Sequence, residues 1–236
     1  MKPAAEGKSM TLWEHLGELR IRLFKALIAL VLTTFISFLF AEKLVDILAR
    51  PIGGIGAMVS IEVTENISIF MKVSLLSGFV LAFPPILYQL LAFILPGLTP
   101  KEKQWVLMII PVGFLLFVSG VVFAYYVLLP TALPFLINFM GIRTIPRPVN
   151  YFSFVTNLLF WIGVCFEMPL LVYVLARFKV VTPGLLARQW RVAVLIIAIL
   201  AAVITPTPDP VNMGLLMIPL FALYLLSILF ARLAIR

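Results

Sequence analysis

Charge is scarce in this sequence of 236 residues. Only 12% of the residues are Asp, Glu, Lys or Arg, against about 25% in an average soluble domain. Hydrophobic residues make up 63%, and they stand in continuous runs instead of alternating with polar residues. The low charge excludes a soluble globular domain, and the continuous runs exclude a membrane β-barrel, whose strands alternate. A bundle of membrane-spanning helices is the class that remains.

Cysteine and histidine are nearly absent, since the chain has one of each. Cys165 cannot form a disulfide within the chain, and His15 cannot build a site with several histidine ligands. No phosphate-binding loop, zinc-protease motif or serine-hydrolase motif occurs. We therefore predict no metal, no cofactor and no enzymatic activity, because an intramembrane enzyme would need a nucleophile and a base. Transport or binding is the predicted class of function, without nucleic acid as a partner.

Six apolar segments follow one another along the chain, at about 24–41, 70–95, 105–129, 152–176, 191–205 and 211–231. A span takes about 20 residues, so six spans occupy nearly the whole sequence. We predict an all-α bundle of six transmembrane helices that forms a single domain over residues 1–236. The fifth segment is short, so either the bilayer thins beside it or its end lies in a recess.

The basic residues are distributed unevenly between the two sides of this bundle. Of the 18, five fall in segments outside the membrane if the N-terminus is cytoplasmic, and thirteen fall inside. This asymmetry predicts that both termini are cytoplasmic, with 42–69, 130–151 and 206–210 outside, in a multi-pass protein of the cell (inner) membrane. The first outer loop contains a turn signal at Pro51-Ile52-Gly53-Gly54, and the third contains four prolines. We expect both loops to be structured.

Residues 11–23 have the pattern of a short amphipathic helix on the cytoplasmic side, with leucines at 12, 16, 19 and 23. On another face, Glu18 precedes Arg22 by four residues. One interpretation of Glu18 is a surface ion pair with Arg22, worth a few tenths of a kcal/mol. The other is an acidic group displayed for a basic ligand.

Glu102 follows a sharp turn between the second and third spans. It fits the third position of a helix that Thr99 caps and Pro100 begins, which is one sufficient explanation for it. The alternative is functional, because Glu102 and Glu18 are two of the three acidic residues near the cytoplasmic surface. In that interpretation they form one anionic patch beside the exposed aromatic Phe93.

Three further polar residues lie in or next to the spans. Glu167 is near the middle of the fourth segment, where a carboxylate costs at least about 2.5–3.5 kcal/mol unless it faces a partner or a cavity. It is therefore either a structural hydrogen-bond partner or a docking point for another helix. Asp209 lies in the turn between the last two spans and suits that turn. Lys72, near the outer end of span two, is expected to extend its amine toward the interface.

These segments, taken in order, resemble the TatC family, the multispanning core of the twin-arginine protein translocase. The most specific piece is HLGELRIRL at residues 15–23, which is similar to the family's HLxELRxRL leader. The supporting pieces are Pro51, PPILYQ at 84–89, FILPGLTPKE at 93–102, FEMP at 166–169 and TPTPD at 205–209. The resemblance runs nearly from end to end.

The resemblance implies a receptor for twin-arginine signal peptides of folded cargo, driven by the proton-motive force. It implies that Glu18 and Glu102 engage the arginine pair, with Leu16, Arg20 and Phe93 beside them. It also implies that Pro51 and Asp209 are functional residues of the outer loops. It also implies single-span partners of the TatA and TatB type, and it leaves self-association open. The alternative is a proton- or ion-coupled small-molecule transporter that uses Glu167.

Overall fold

The computed structural model describes the chain over residues 12–94, 100–138, 145–205 and 210–235, with backbone alone at 12, 94, 100–106, 211 and 212. Ten α-helices make up these ranges, and no strand occurs in them. They are α1 (Leu12–Phe38), α2 (Ala41–Ala49), α3 (Glu65–Ile94), α4 (Pro100–Phe123), α5 (Leu129–Ile137), α6 (Pro148–Phe166), α7 (Met168–Arg177), α8 (Pro183–Arg188), α9 (Trp190–Ile204) and α10 (Pro210–Ile235). The all-α prediction is confirmed.

Six spans can be counted among these helices. Five helical stretches are long and apolar enough to cross a membrane, and α9 is a shorter sixth. At about 1.5 Å per residue, the 15 residues of α9 extend about 22 Å, against a hydrocarbon core of about 30 Å. The shortness predicted for the fifth span is therefore present in the fold.

The predicted amphipathic stretch 11–23 is described from residue 12 onward, and residues 12–23 are not a separate element. Helix α1 runs without interruption from Leu12 to Phe38, so the stretch forms the first turns of the first span. The physical reason is that no proline interrupts residues 12–38, and Gly17 alone is not enough to end a helix.

The helix of the third span extends further than the sequence predicted. A wider, π-type turn at Ala124–Leu128 joins α4 to α5, so helix continues to Ile137, well into the predicted loop 130–151. The prediction missed this because Pro130 and Pro134 read as loop residues. Proline removes a backbone donor from a helix, and the widened turn directly before Pro130 adjusts the hydrogen-bonding pattern at that point.

The fourth span is divided at Glu167, which lies between α6 and α7. Its N–H donates to the carbonyl of Val164 at 3.1 Å, which closes a tight turn, and Pro169 follows with no N–H to offer. The glutamate therefore lies at an irregular point of the backbone. The sequence pattern had indicated one unbroken segment here.

The helices pack in a sequence of neighbours. Helix α1 lies along α3, α3 and α4 both pack against α6, and α10 packs against α7 and α9. The largest core cluster contains Phe152, Val155 and Leu158 of α6 together with Leu216 and Leu220 of α10. Most of the apolar surface of α1 is exposed, which in a membrane protein is surface for lipid.

One end of the bundle, which we call the capped end, is covered by α2 and the residues that follow it. Helix α2 ends in a turn around Pro51, where Gly53 and Gly54 have φ of +98° and +97°, a conformation that favours glycine. The N–H of Gly54 donates to the carbonyl of Ala49 at 2.9 Å and closes the helix. The prediction of a structured first loop is confirmed.

Side chains from other spans hold α2 in place at the capped end. The hydroxyl of Tyr151 donates to the carbonyl of Leu48 at 2.7 Å, and that of Tyr125 donates to the carbonyl of Ile47 at 2.6 Å. Both carbonyls belong to the last turn of α2, and that of Ile47 also accepts from the N–H of Arg50. The two tyrosine hydrogen bonds tie α2 to the third and fourth spans.

An ion-pair cluster joins the two long loops of the capped end. The guanidinium of Arg147, just before α6, pairs with Glu62 at 3.0 Å and with the buried Glu65 at the start of α3. The hydrogen bonds that Arg147 donates to Glu65 and Glu62 raise the pKa of Arg147 above its ordinary value, so it remains charged. The cluster fixes α6 against α3.

Candidate functional site: a polar groove at the His15 end

At the end of the bundle opposite the capped end, polar and aromatic side chains of α1 and α3 meet along the seam between the two helices. His15, Glu18 and Arg22 lie at i, i+3 and i+7 on α1, which places them on one face of the helix. That face is turned toward the last turns of α3, where Gln89 and Phe93 lie. We call these five residues the polar groove.

An aromatic contact forms one part of the polar groove. The rings of His15 and Phe93 stack with their centroids 4.4 Å apart and an angle of 15° between the planes. Phe93 is half-buried by this contact, whereas the sequence had predicted an exposed ring. The sequence does not predict this contact of His15, which it indicates only as a possible metal ligand and as part of the segment 15–23. The signal was available, since His15 shares a helical face with Glu18.

An ion pair forms the other part. The Nε of Arg22 donates to Oε1 of Glu18 at 2.8 Å, and a second guanidinium nitrogen contacts the same oxygen. A third nitrogen of Arg22 is 3.5 Å from the side-chain oxygen of Gln89. The surface ion pair considered for Glu18 is therefore formed, and Gln89 extends it to α3. Gln89 was missed as a groove residue because a single amide has no spacing partner in the sequence.

The two carboxylate oxygens of Glu18 differ in their contacts. Oε2 is buried and has no hydrogen-bond partner among the described atoms, although the side chain as a whole is 21% exposed. A buried carboxylate oxygen without a donor is costly, so such an oxygen is a strong acceptor for an added donor. The ion pair with Arg22 thus leaves one carboxylate oxygen without a donor among the described atoms.

The other residues predicted for this site have different positions. Leu16 and Arg20 are exposed, on a face of α1 that is turned away from the Glu18–Arg22 pair. Glu102 is in the first turn of α4, and its side chain lies outside the described part of the structure. The predicted proximity of Glu18 and Glu102 therefore stays a prediction.

Glu167 lies away from the polar groove, against α4 and the end of α3. One carboxylate oxygen, Oε2, is 3.2 Å from where a Cβ on Gly113 would stand, and the carboxylate approaches the backbone of Phe117. Its other oxygen, Oε1, is buried without a hydrogen-bond partner among the described atoms. The residue is half-buried overall.

The two loop residues predicted to be functional are Pro51 and Asp209. Pro51 is half-buried in the turn that ends α2 at the capped end. Asp209 lies outside the described residues. Neither contributes to the polar groove.

The fold and the groove together define a class: a six-span integral membrane protein with a polar groove built from the ends of two spans. The sequence model of the Sec-independent protein translocase protein (TatC) matches residues 14–219. The chain belongs to the TatC family, and it is a component of the Sec-independent protein translocase rather than a small-molecule transporter.

Individual relatives agree over nearly the whole length. The chain is 37% identical to the Sec-independent protein translocase protein TatC of Carboxydothermus hydrogenoformans, over 96% of this chain and 95% of that one. It is 38% identical to the TatC of Aquifex aeolicus, over 96% of this chain and 97% of the relative. A crystal structure described as the twin arginine translocase receptor TatC superposes with a TM-score of 0.81 at 37% identity, covering 94% of this chain and 100% of that chain.

Proposed function

We propose that the chain is the signal-peptide receptor and core of the twin-arginine translocase, which moves folded proteins across the cytoplasmic membrane with the proton-motive force. In this proposal the polar groove binds the arginine pair of the signal peptide. The observation that carries it is the buried, unpartnered Oε2 of Glu18. The proposal is also supported by the similarity to a structure described as a translocase receptor.

The chemistry of the groove suits a guanidinium group. An arginine donates through a planar fork that matches a carboxylate, and Oε2 of Glu18 is free to accept from it. The stacked rings of His15 and Phe93 offer an aromatic surface beside it, on which a guanidinium can also stack. We propose that Glu102 contributes the second carboxylate, and that Leu16 and Arg20 contact the peptide along the exposed face of α1.

Binding of labelled signal peptides to the purified protein in detergent tests this assignment. Glu18→Gln should weaken the Arg-Arg peptide at least about tenfold, because a hydrogen bond to a charged group contributes about 1.5–3 kcal/mol and tenfold corresponds to about 1.4 kcal/mol. A Lys-Lys peptide should bind weakly to wild type, and affinity should fall as salt rises. Glu102→Gln should behave like Glu18→Gln.

A matched control is available at the capped end, where Glu42→Gln removes the same charge from an exposed helix position. That variant should bind the peptide as wild type does. If Glu18→Gln and Glu102→Gln also bind it as wild type does, the ion pair and the helix cap are their only roles, and the proposed binding site is wrong.

We also propose that the protein lies in the inner membrane of the cell. In the orientation that this function requires, the His15 end and both termini face the cytoplasm. The uneven distribution of basic residues supports it. Single cysteines at positions 8 and 101, in a Cys165→Ala background, should react with an impermeant maleimide only after the cells are opened. Labelling of either position in intact cells would show that it lies outside and would contradict the proposed orientation.

For Glu167 we propose a role in docking the single-span partners, of the TatA and TatB type, through a polar side chain. The unpartnered Oε1 at an irregular point of the fourth span supports this. Glutamine retains a carbonyl oxygen and the shape of the side chain, so Glu167→Gln should keep much of the crosslinking to a partner helix while Glu167→Ala loses more. Equal crosslinking by all three proteins would make Glu167 a structural residue only.

A further inference from the structure

A second groove, separate from the polar groove, opens between α1, α3 and α6 on the capped half of the bundle. It has a volume of about 400 Å³. Its apolar wall is formed by Leu30 of α1, Leu75 and Phe79 of α3, and Phe160 of α6. Among the described residues that line it, Lys72 alone is ionisable, and we call the cavity the Lys72 groove.

Lys72 has no counter-charge in the described part of the structure. Its ammonium donates to the hydroxyl of Ser153 on α6, a neutral group. None of the described ion pairs includes it, although the side chain is half-buried. An ammonium has three N–H donors, so two remain for a ligand, and a cation inside a span usually has an anionic partner.

The polar groups around Lys72 are arranged on one side of the groove. The hydroxyls of Ser153 and Thr156 donate to backbone carbonyls of their own helix, at Val149 and Phe152. Asn157 lines the same side, is exposed, and carries an amide that can donate. The donors left over are therefore those of Lys72 and Asn157, which together suit the oxygens of an anion.

The depth of Lys72 agrees with the position of a lipid headgroup. Lys72 is seven residues beyond Glu65, the first residue of α3, which is about 10 Å along the helix axis. A lysine side chain at that depth reaches back toward the interface. The apolar wall continues deeper, along Leu75 and Phe79, where acyl chains would lie.

We propose that the Lys72 groove binds an anionic phospholipid, with the phosphate at Lys72 and Asn157 and an acyl chain along the apolar wall. Anionic lipids are favoured over zwitterionic ones because the groove supplies a cation with no neighbouring carboxylate. In phosphatidylethanolamine the lipid's own ammonium already neutralises the phosphate.

Native mass spectrometry of the detergent-purified protein with phosphatidylglycerol tests the proposal. Wild type should retain one phosphatidylglycerol at least about tenfold more strongly than phosphatidylcholine. Lys72→Gln, which keeps the length of the stem and removes the charge, should lose that preference. Lys72→Arg should restore it, and Lys43→Gln, at an exposed position on α2, should leave it unchanged. The unfolding midpoint of each variant in detergent shows that the protein is folded.

Two further experiments show whether the bound anion belongs to a lipid or to free phosphate, and whether lipid or protein fills the groove. Glycerol 3-phosphate or inorganic phosphate should not compete at millimolar concentration, because neither fills the apolar wall, and Asn157→Trp should block the lipid by filling the groove. Competition by free phosphate would overturn a lipid site. Lys72→Gln that retains phosphatidylglycerol as strongly as wild type does would also overturn it. Crosslinking from position 157 to a protein helix instead of to lipid would overturn it as well.

Discussion

Replacing Gly78 by alanine tests the contact that holds α1 to the rest of the bundle. A Cβ at Gly78 would stand 2.6 Å from the Cα of Thr34 and 2.8 Å from its nitrogen, which are backbone atoms that cannot rotate away. Ordinary contact is 3.4–4 Å, so α1 would have to move by about 1 Å. At the same place the hydroxyl of Thr33 donates to the carbonyl of Gly78 at 2.7 Å, and that bond would be strained or lost.

The magnitude follows from three contributions. Inserting a methyl group into close packing costs about 1–3 kcal/mol, and the lost hydrogen bond costs about 1 kcal/mol. The higher helix propensity of alanine returns about 1 kcal/mol. We expect Gly78→Ala to lower the free energy of unfolding by about 1–3 kcal/mol. Because the polar groove is formed by the same two helices, signal-peptide affinity should fall as well.

Unfolding in mixed detergent micelles measures the stability, and a spin-label distance between Leu27 on α1 and Leu81 on α3 measures the displacement. Both positions are exposed. Gly17→Ala is the control on α1, since nothing lies within 4 Å of a Cβ at that position, and it should be neutral or stabilising. Wild-type stability and an unchanged distance in Gly78→Ala would refute the close contact.

The capped end provides three further tests by unfolding in the same micelles. Tyr151→Phe should cost about 1–3 kcal/mol because it removes a buried hydrogen bond to the carbonyl of Leu48. Tyr126→Phe, at a ring that is 70% exposed, should stay within about 0.5 kcal/mol, and equal effects would contradict the role of the hydrogen bond. Gly53→Ala should lower the free energy of unfolding by about 1–2 kcal/mol through backbone strain alone, since a Cβ there meets nothing closer than 3.8 Å. An unchanged free energy of unfolding would mean that the turn relaxes. Arg147→Gln should lower the unfolding midpoint and expose the loop before α3 to protease, and an unchanged protease pattern would show that the ion pairs do not hold it.

The sequence predicts the spans well because membrane insertion depends on length and hydrophobicity, which can be read locally. It predicts Glu18 and Arg22 as neighbours for a similar reason, since four residues on a helix bring two side chains together. The stack of His15 on Phe93 involves residues far apart in the chain, and only the packing of α1 on α3 brings them together. The same holds for Arg147 and Glu65.

Helix ends were harder to predict than helix existence. Proline at 130 and 134 normally indicates a loop, but a widened turn allows the helix to continue through both. The opposite error occurred at Glu167, where hydrophobicity indicated a continuous span and the tight turn before Pro169 divides it. In both cases backbone hydrogen bonding, which hydropathy does not report, decided the result.

The unequal heights of the spans have an elastic consequence for the surrounding lipid. The apolar helix that ends at Ile137 is 31 residues long, about 46 Å, while α9 has 15 residues and extends about 22 Å. The longer helix can tilt or extend beyond the hydrocarbon core, whereas lipid beside the short α9 is compressed, and each ångström of mismatch costs a fraction of a kcal/mol. A neighbouring protein with a short span shares the compressed lipid beside α9 and reduces that cost. The membrane itself thus gives the molecule a preferred side for assembly.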